Sequence, residues 1–413
     1  VNANFHGKER GIAFAIWGST IGGMVAIGPV LGGWLATDFS WRWAFNINAP
    51  LGLLILIGLA IFVNESKQEQ REGGIDYVGA LISVVMFATL VFGLIEGRVY
   101  GWWEVSDKNV FQLGDFKWPT DGISVIPVSL AISAVTTLIF VLWERAREKA
   151  HKNVLLDLGL FKIASFRNGS IAALIISMGE FGLLFAIPLW LQNVGGLSPV
   201  SSGVVLLWLA GGAFLASGAG AGLSGKVSAV NQVRAGVVLE LVGVFGVALF
   251  AGNDGGWGAV APFLAVYGIG VGLATAQLTG VIMVDVPMEK VGQGSGSQST
   301  VRQIGSALGI AVLGTALFTS VQAVGETQLE QTAYVQSVPA DHRSEVVKAV
   351  SETVADSAGG VLQSLDKVTM GVAMQHHAPG PITPDQAAEV KQAGFDAFSQ
   401  GVRTTGYVAA GFL

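Results

Sequence analysis

The sequence contains no cysteine. That excludes a disulfide framework and any thiolate-bound metal. Charge is scarce too: Asp, Glu, Lys and Arg make up 13% of the 413 residues, about half the share in a soluble domain. No basic excess exists to hold nucleic acid, because the formal net charge is −6. No Walker A loop, dinucleotide fingerprint or nucleophile–base constellation occurs, so neither ATP use nor catalysis is expected. Gly292–Gly296, GQGSG, follows no strand and reads as a flexible loop leading into a helix rather than a phosphate cradle. His376 and His377 stand alone in a polar stretch without further ligands, so no metal and no cofactor are expected.

What is present in excess is apolar and small. Hydrophobic residues reach 51%, and there are 57 glycines, about twice the usual share. Many stretches reach the roughly 20 apolar residues that cross a bilayer. The fold class expected is an all-α polytopic membrane protein. Spans are read at about 12–35, 43–63, 75–95, 123–143, 168–192, 200–222, 235–251, 257–284 and 303–320. A tenth apolar run starts near Gly401 and stops at Leu413, too short to cross. Trp102, Trp103 and Trp118 fall in the 97–122 connection, where an interfacial belt would place them.

The negative charge is local. Segment 321–400 has ten acidic and four basic residues, which accounts for the whole excess. Its only periodicity is weakly helical, at Val346, Val347, Val350 and Val354. With the amino end inside and spans alternating, inner segments hold fourteen Lys and Arg. The short outer loops hold four: Arg42, Arg98, Lys108 and Lys117. This positive-inside bias puts 321–400 outside the cell membrane.

The stretch 18–52 organises the rest. Gly18, Gly22 and Ala26, and Gly28, Gly32 and Ala36, recur every four residues and form bare strips where another backbone can come close. Pro29 removes a backbone donor and should bend the helix. The run GPVLGGWLATDFSWRWAFNINAPLG, Gly28–Gly52, resembles the fifth helix, outer loop and sixth helix of the 14-helix drug:proton antiporters (EmrB/QacA type) of the major facilitator superfamily. Gly28, Pro29, Gly32 and Gly33 match that family's GP-x-x-GG antiporter motif. Gly292–Thr315, GQGSGSQSTVRQIGSALGIAVLGT, resembles the stretch entering its thirteenth helix. Gly222–Arg234, GLSGKVSAVNQVR, is similar to a degenerate copy of its gating loop, with Gly225 where an Asp is usual and Ala229 where a Gly is usual.

The resemblance implies a truncated bundle that lacks the first four helices and the end of the last. Residues 1–63 would close the amino-terminal bundle, 64–143 form two linker helices and 144–166 a cytoplasmic loop. Residues 167–320 would be the carboxy-terminal bundle, 321–400 an extracytoplasmic loop and 401–413 the start of the final helix.

A charge at the bilayer centre costs at least about 2.5–3.5 kcal/mol, so each one needs a reason. Glu180 lies near the middle of its span among apolar and small neighbours, SMGEFGLL. It reads either as a proton-coupling or cation-binding carboxylate or as a protonated structural acid. Glu240 and Gln277 are further cavity candidates; Glu240 could instead pair with Arg234, although six residues apart on a helix puts them on different faces. Lys226, Arg234 and Arg302 are candidates for an inner gate, with lipid-headgroup contact the plainer reading of Arg302. Asp285 and Glu96 read as interfacial. Phe181, Phe185, Trp190, Trp208 and Phe214 are either packing residues or a stacking surface for a lipophilic cation.

The function expected is proton-coupled export of drugs or amphipathic, cationic compounds by alternating access, in a monomer. The partners are the small-molecule substrate, protons and lipid, with no nucleic acid. A transporter of an endogenous metabolite and a non-transporting membrane scaffold remain alternatives.

Overall fold

Within hydrocarbon no water can satisfy a backbone N–H or C=O, so an apolar run of bilayer length must close its hydrogen bonds within one helix. The runs in this chain do so. The computed structural model describes residues 20, 24, 27–62, 76–106, 109–223, 226–252, 256–375 and 380–413, without the side chain of residue 221. A helical stretch, 27–34, runs into the π-helical turn Leu35–Phe39. It is followed by α1 (Trp41–Asn46), α2 (Asn48–Phe62), α3 (Tyr77–Ile95) and α4 (Gly97–Tyr100). A small antiparallel hairpin, β1 (Gln112–Leu113) and β2 (Phe116–Lys117), precedes α5 (Val125–Lys149). Then come α6 (Ala164–Asn193), α7 (Pro199–Leu223), α8 (Ala229–Phe250), α9 (Gly256–Ile282) and α10 (Val291–Glu330). Short helices α11 (Ala333–Gln336), α12 (Arg343–Asp356) and α13 (Leu365–Gln375) lead to α14 (Pro384–Phe412).

Eight helical stretches among the described residues are long and apolar enough to cross a membrane, from Trp41–Phe62 to Met288–Glu330. They correspond to the second to ninth runs of the sequence. The first run lies mostly outside the described residues, as do His376, His377 and Gly225. The fold is therefore an all-α, multi-pass membrane protein. Local chemistry sets several helix starts. The Ser124 hydroxyl accepts from the Ile126 N–H before α5, and Ser228 does the same for Asn231 before α8. Thr383 and Gln386 form a reciprocal capping box at α14, with Pro384 in the first turn.

Small residues allow close crossings. A Cβ at Gly268 on α9 would collide with the Leu209 carbonyl of α7, and one at Gly309 on α10 with the Met178 carbonyl of α6. Tight backbone approach replaces the hydrophobic drive that lipid does not supply. Accordingly α9 packs on both α7 and α8, and α6 packs on α10. The hairpin of α3 and α5 packs on itself and touches α10. Helix α2 buries none of its residues against the described part of the chain.

Two boundaries differ from the sequence expectation. Residues 291–302 are helix, not a polar loop before a ninth span at Gln303. The small polar side chains there are satisfied locally: Ser297 bonds the Gln293 carbonyl at 2.7 Å, and Gln298 donates to Thr279 Oγ1 at 3.0 Å. The expected break at 400/401 falls inside α14, whose apolar stripe of Val390, Ala397, Phe398 and Val402 is continuous across it. Charged Glu389, Lys391 and Asp396 mask that stripe in a hydropathy reading.

Residues 331–375 and 380–383 form a helical cap. Its core includes Val346, Val347, Val350 and Val354, the four valines of the weak sequence pattern, with Leu362 and Leu365. The cap grips the bundle at three points. Asn193, at the end of α6, donates to the Ala358 carbonyl at 2.9 Å and accepts from Gln363 at 3.0 Å. Arg98 of α4 donates to the Ala355 carbonyl at 2.9 Å, and its guanidinium lies 4.1 Å from the centre of the Phe318 ring on α10. Burial lowers the pKa of Arg98 and the charge of Asp356 opposes that shift.

Candidate functional site

Four ionisable side chains from four helices meet in the middle of the bundle. Glu180 sits sixteen residues into α6, or roughly 24 Å along the axis at 1.5 Å per residue. Glu240 is midway along α8 and Arg302 is eleven residues into α10, both about 16 Å from their helix starts. Arg302 Nη2 lies 3.6 Å from Glu180 Oε2, an ion pair too long for a direct hydrogen bond. Glu240 is fully buried and feels the charges of both Glu180 and Arg302. Tyr267 of α9, also fully buried, feels both carboxylates.

This group is short of partners. Glu180 Oε2, both carboxyl oxygens of Glu240 and the Tyr267 hydroxyl have no hydrogen bond among the described residues. A buried carboxylate without donors is costly unless it is charge-paired or protonated. Two acids share one cation, so the group carries one negative charge when both are ionised. One added proton makes it neutral. Backbone approach holds the acids in place: a Cβ at Gly270 of α9 would reach the Glu240 Cγ at 2.7 Å.

A cavity of about 310 Å³ reaches the group from one side, lined by Arg302 with Phe181, Thr279, Gln298, Gln303 and Ser306. Arg302 is therefore a centre-of-bundle residue that the structure sets apart from Lys226 and Arg234, which are both exposed. No ion pair joins Arg234 to Glu240 among the described residues. Gln277 lies near the carboxy-terminal end of α9, where its amide would be 3.6 Å from a Cβ at Gly220, close to Gln232. It is not among the residues that line the Arg302 cavity. Of the aromatic candidates, Phe181 lines that cavity. Phe185 packs edge-on to Phe318 at 6.2 Å, and Trp190 donates to Ser399 Oγ at 3.1 Å; Trp208 and Phe214 are exposed. Asp285 is exposed and Glu96 caps the end of α3.

Tyr267 was not a sequence candidate. A tyrosine within an apolar run usually reads as belt or packing. The available signal was its place just before two glycines, in VYGIG, of which Gly270 lets the Glu240 backbone approach.

The GP-x-x-GG stretch meets the start of α7. A Cβ at Gly33 would lie 2.7 Å from the Pro199 carbonyl oxygen, and one at Gly203 would lie 2.8 Å from the Val30 Cα. Two glycines facing opposite ways make this a smooth contact between backbones. Gly28 and Gly32 face open space, since a Cβ at either meets nothing within 4 Å. Gly18 and Gly22 lie outside the described residues.

Comparison with known proteins bears on this arrangement. The sequence model of the Major Facilitator Superfamily matches residues 1–310. Multidrug resistance protein Stp of Mycobacterium tuberculosis is 30% identical over 324 residues, 78% of this chain and 56% of that protein. The tetracenomycin C resistance and export protein of Streptomyces glaucescens is 28% identical over 76% of this chain and 54% of its own length. Multidrug transporter protein MdtP of Bacillus subtilis is 26% identical over 87% of this chain and 62% of its own. The chain thus spans little more than half the length of these curated relatives.

Proposed function

The chain belongs to the Major Facilitator Superfamily, a family of transporters rather than enzymes, and from that premise we propose that it works in a proton-coupled exporter of amphipathic, cationic compounds. The observation that carries the proposal is the buried Glu180–Arg302 pair beside the unpartnered Glu240 and Tyr267. A lipophilic cation and a proton are alternative ways to neutralise the one surplus carboxylate. Their competition gives exchange of one for the other as the bundle alternates access. The Gly33–Pro199 and Gly203–Val30 contacts supply a smooth seam on which the motif helix slides against α7. The protein would act as a monomer in the cell membrane, with the 144–166 loop cytoplasmic and the cap outside, as the basic residues favour.

The test is proton efflux coupled to drug efflux, in inverted vesicles that carry the protein or its Glu180→Gln and Glu240→Gln variants. Loss of drug-induced proton movement in either variant is expected. Proton-coupled efflux of cations at the unaltered rate in both would overturn the assignment. Export dedicated to one compound is a second reading, favoured by the likeness to the tetracenomycin C resistance and export protein of Streptomyces glaucescens. A panel of substrates in the same vesicles separates the two.

A further inference from the structure

The group around Glu180 leaves another pair of buried acids unused. Glu144, near the end of α5, is fully buried, and Asp76, which caps the start of α3, is 5% exposed. The two carboxyls face each other. A Cβ at Gly79 would touch Asp76 Oδ2 and Glu144 Oε1 together. Of the charges around it, Glu144 feels that of Asp76.

Donors are divided unequally between the two. Asp76 accepts from the Gly79 N–H at 2.9 Å and from the Trp143 indole at 3.1 Å, and pairs with Arg147 Nε at 3.2 Å. Three donors suit a carboxylate. Glu144 Oε2 accepts from the Leu155 and Leu156 N–H groups at 3.0 and 3.4 Å. Its Oε1 has no donor among the described residues. Two ionised carboxyls present only acceptors to each other, here out of water. One proton on Glu144 Oε1 turns that repulsion into a hydrogen bond donated to Asp76.

No neighbouring cation removes the need for that proton. Arg147 is committed to Asp76 and to the Asn153 carbonyl, at 2.8 Å, and its Nη2 has no acceptor among the described residues. Lys290, before α10, is paired with Asp157 at 2.5 Å. Glu148 of α5 adds a further acid there, since a Cβ at Gly159 would lie 3.8 Å from both Glu148 Oε1 and Lys290 Nζ. Arg145 and Lys149 are exposed. With Asp76 and Glu144 both ionised, Arg147 leaves one negative charge over.

The pair also sits where two helices are joined. Ser129 and Ser133 of α5 donate to the Thr89 and Met86 carbonyls of α3 at 2.8 and 3.0 Å, which fixes the middle of this hairpin. Its Asp76 end is closed by the acids and their donors. The loop that Glu144 holds continues to α10, where Gln293 donates to the Val154 carbonyl at 3.1 Å.

We propose that Glu144 and Asp76 bind one proton between them, and that this proton latches the Asp76 end of the α3–α5 hairpin. It is separate from any proton that Glu180 and Glu240 exchange. The closed latch holds one proton more than the open one, so rising pH opens it, by up to about tenfold in population ratio per pH unit. In the orientation proposed above the latch faces the cytoplasm; the proton itself does not depend on that orientation.

Two measurements on the purified protein test this. Infrared difference spectra between pH 5 and pH 10 read the proton. Wild type should lose a carboxylic acid band in alkali that Glu144→Gln never shows, while Glu180→Gln and Glu240→Gln keep it. Failure of the transport assignment and failure of this one are therefore distinguishable. Spin labels read the latch. The chain has no cysteine, so Tyr77→Cys and Arg145→Cys, both at exposed positions, label the two helices there without background. The distance between the labels should lengthen as pH rises. Glu144→Gln, whose amide N–H bonds Asp76 at every pH, should hold it short. If that variant does not fold, Asp76→Asn serves, since its amide donates to an ionised Glu144. The same band loss in Glu144→Gln as in wild type, or a label distance that ignores pH without either substitution, would overturn the proposal.

Discussion

Removing either partner of the Glu180–Arg302 pair should not have the same consequence. The two side chains differ in their routes to water. Glu180 is 8% exposed and has no donor at Oε2, whereas Arg302 is 23% exposed and lines a cavity. Arg302→Gln leaves two buried acids, Glu180 and Glu240, with no cation. Breaking a buried pair in this way costs about 3–5 kcal/mol. Glu180→Gln instead leaves a guanidinium that reaches the cavity and can still face Glu240. Its cost should be about 1 kcal/mol, the scale of a partly solvated ion pair. In the double variant the stranded charge on Glu180 is gone, so it should be more stable than Arg302→Gln alone by about 2 kcal/mol or more. The assay is thermal unfolding of the purified protein in detergent, followed by circular dichroism. The expected order of midpoints is wild type, Glu180→Gln, double variant, Arg302→Gln. Equal losses for the two single changes, or losses that add in the double variant, would refute the idea that the pair is held against a surplus of negative charge.

Three further outcomes follow from the packing and the cap. Gly309→Ala puts a methyl group against the Met178 carbonyl and should push α10 away from α6, costing about 1–3 kcal/mol and slowing efflux more than it lowers expression. Vesicle transport rates at matched protein levels check it. Arg98→Gln removes both the stacking on Phe318 and the bond to Ala355, so the cap should become more sensitive to limited proteolysis, with about 1–3 kcal/mol lost. Tyr334, in the cap, is buried and donates to the Gly380 carbonyl at 3.1 Å, and burial raises its pKa. Its neutral form is favoured in the folded state, so this contribution to stability is full below pH ~10 and is lost as pH rises above that. Tyr334→Phe should lose about 0.5–1.5 kcal/mol at neutral pH and fall less steeply in alkali; absorbance titration of the phenolate and unfolding at pH 8 and 11 read both effects.

How far the sequence reaches differs from residue to residue. Glu180 stands out because a lone acid in an apolar run has no cheap explanation in a membrane. Arg302 is visible but misplaced. GQGSGSQST has the composition of a loop, yet it is helix, with Ser297 bonded to the Gln293 carbonyl and Gln298 to Thr279 of α9. Tyr267 is invisible as a polar group until packing removes it from water. The cap core is legible in four valines at helical spacing, but α14 is not, since its apolar stripe is narrow and its other face is charged. Contacts such as Trp190 with Ser399, 209 residues apart, depend on how separated helices pair, which local pattern does not encode.

The reciprocal bonds of Asn193 with the cap have a practical meaning. Helix α6 carries Glu180 in its middle and ends in a fitting outside the hydrocarbon, clasped by Ala358 and Gln363. Any tilt of α6 must either drag the cap along or tear that clasp. The cap is thus a handle on the buried acid, within reach of a large, water-soluble molecule that never enters the bilayer. In the orientation and function proposed above, an antibody fragment that pins the cap against the neighbouring helix ends would hold α6 from outside, with no contact to the Arg302 cavity.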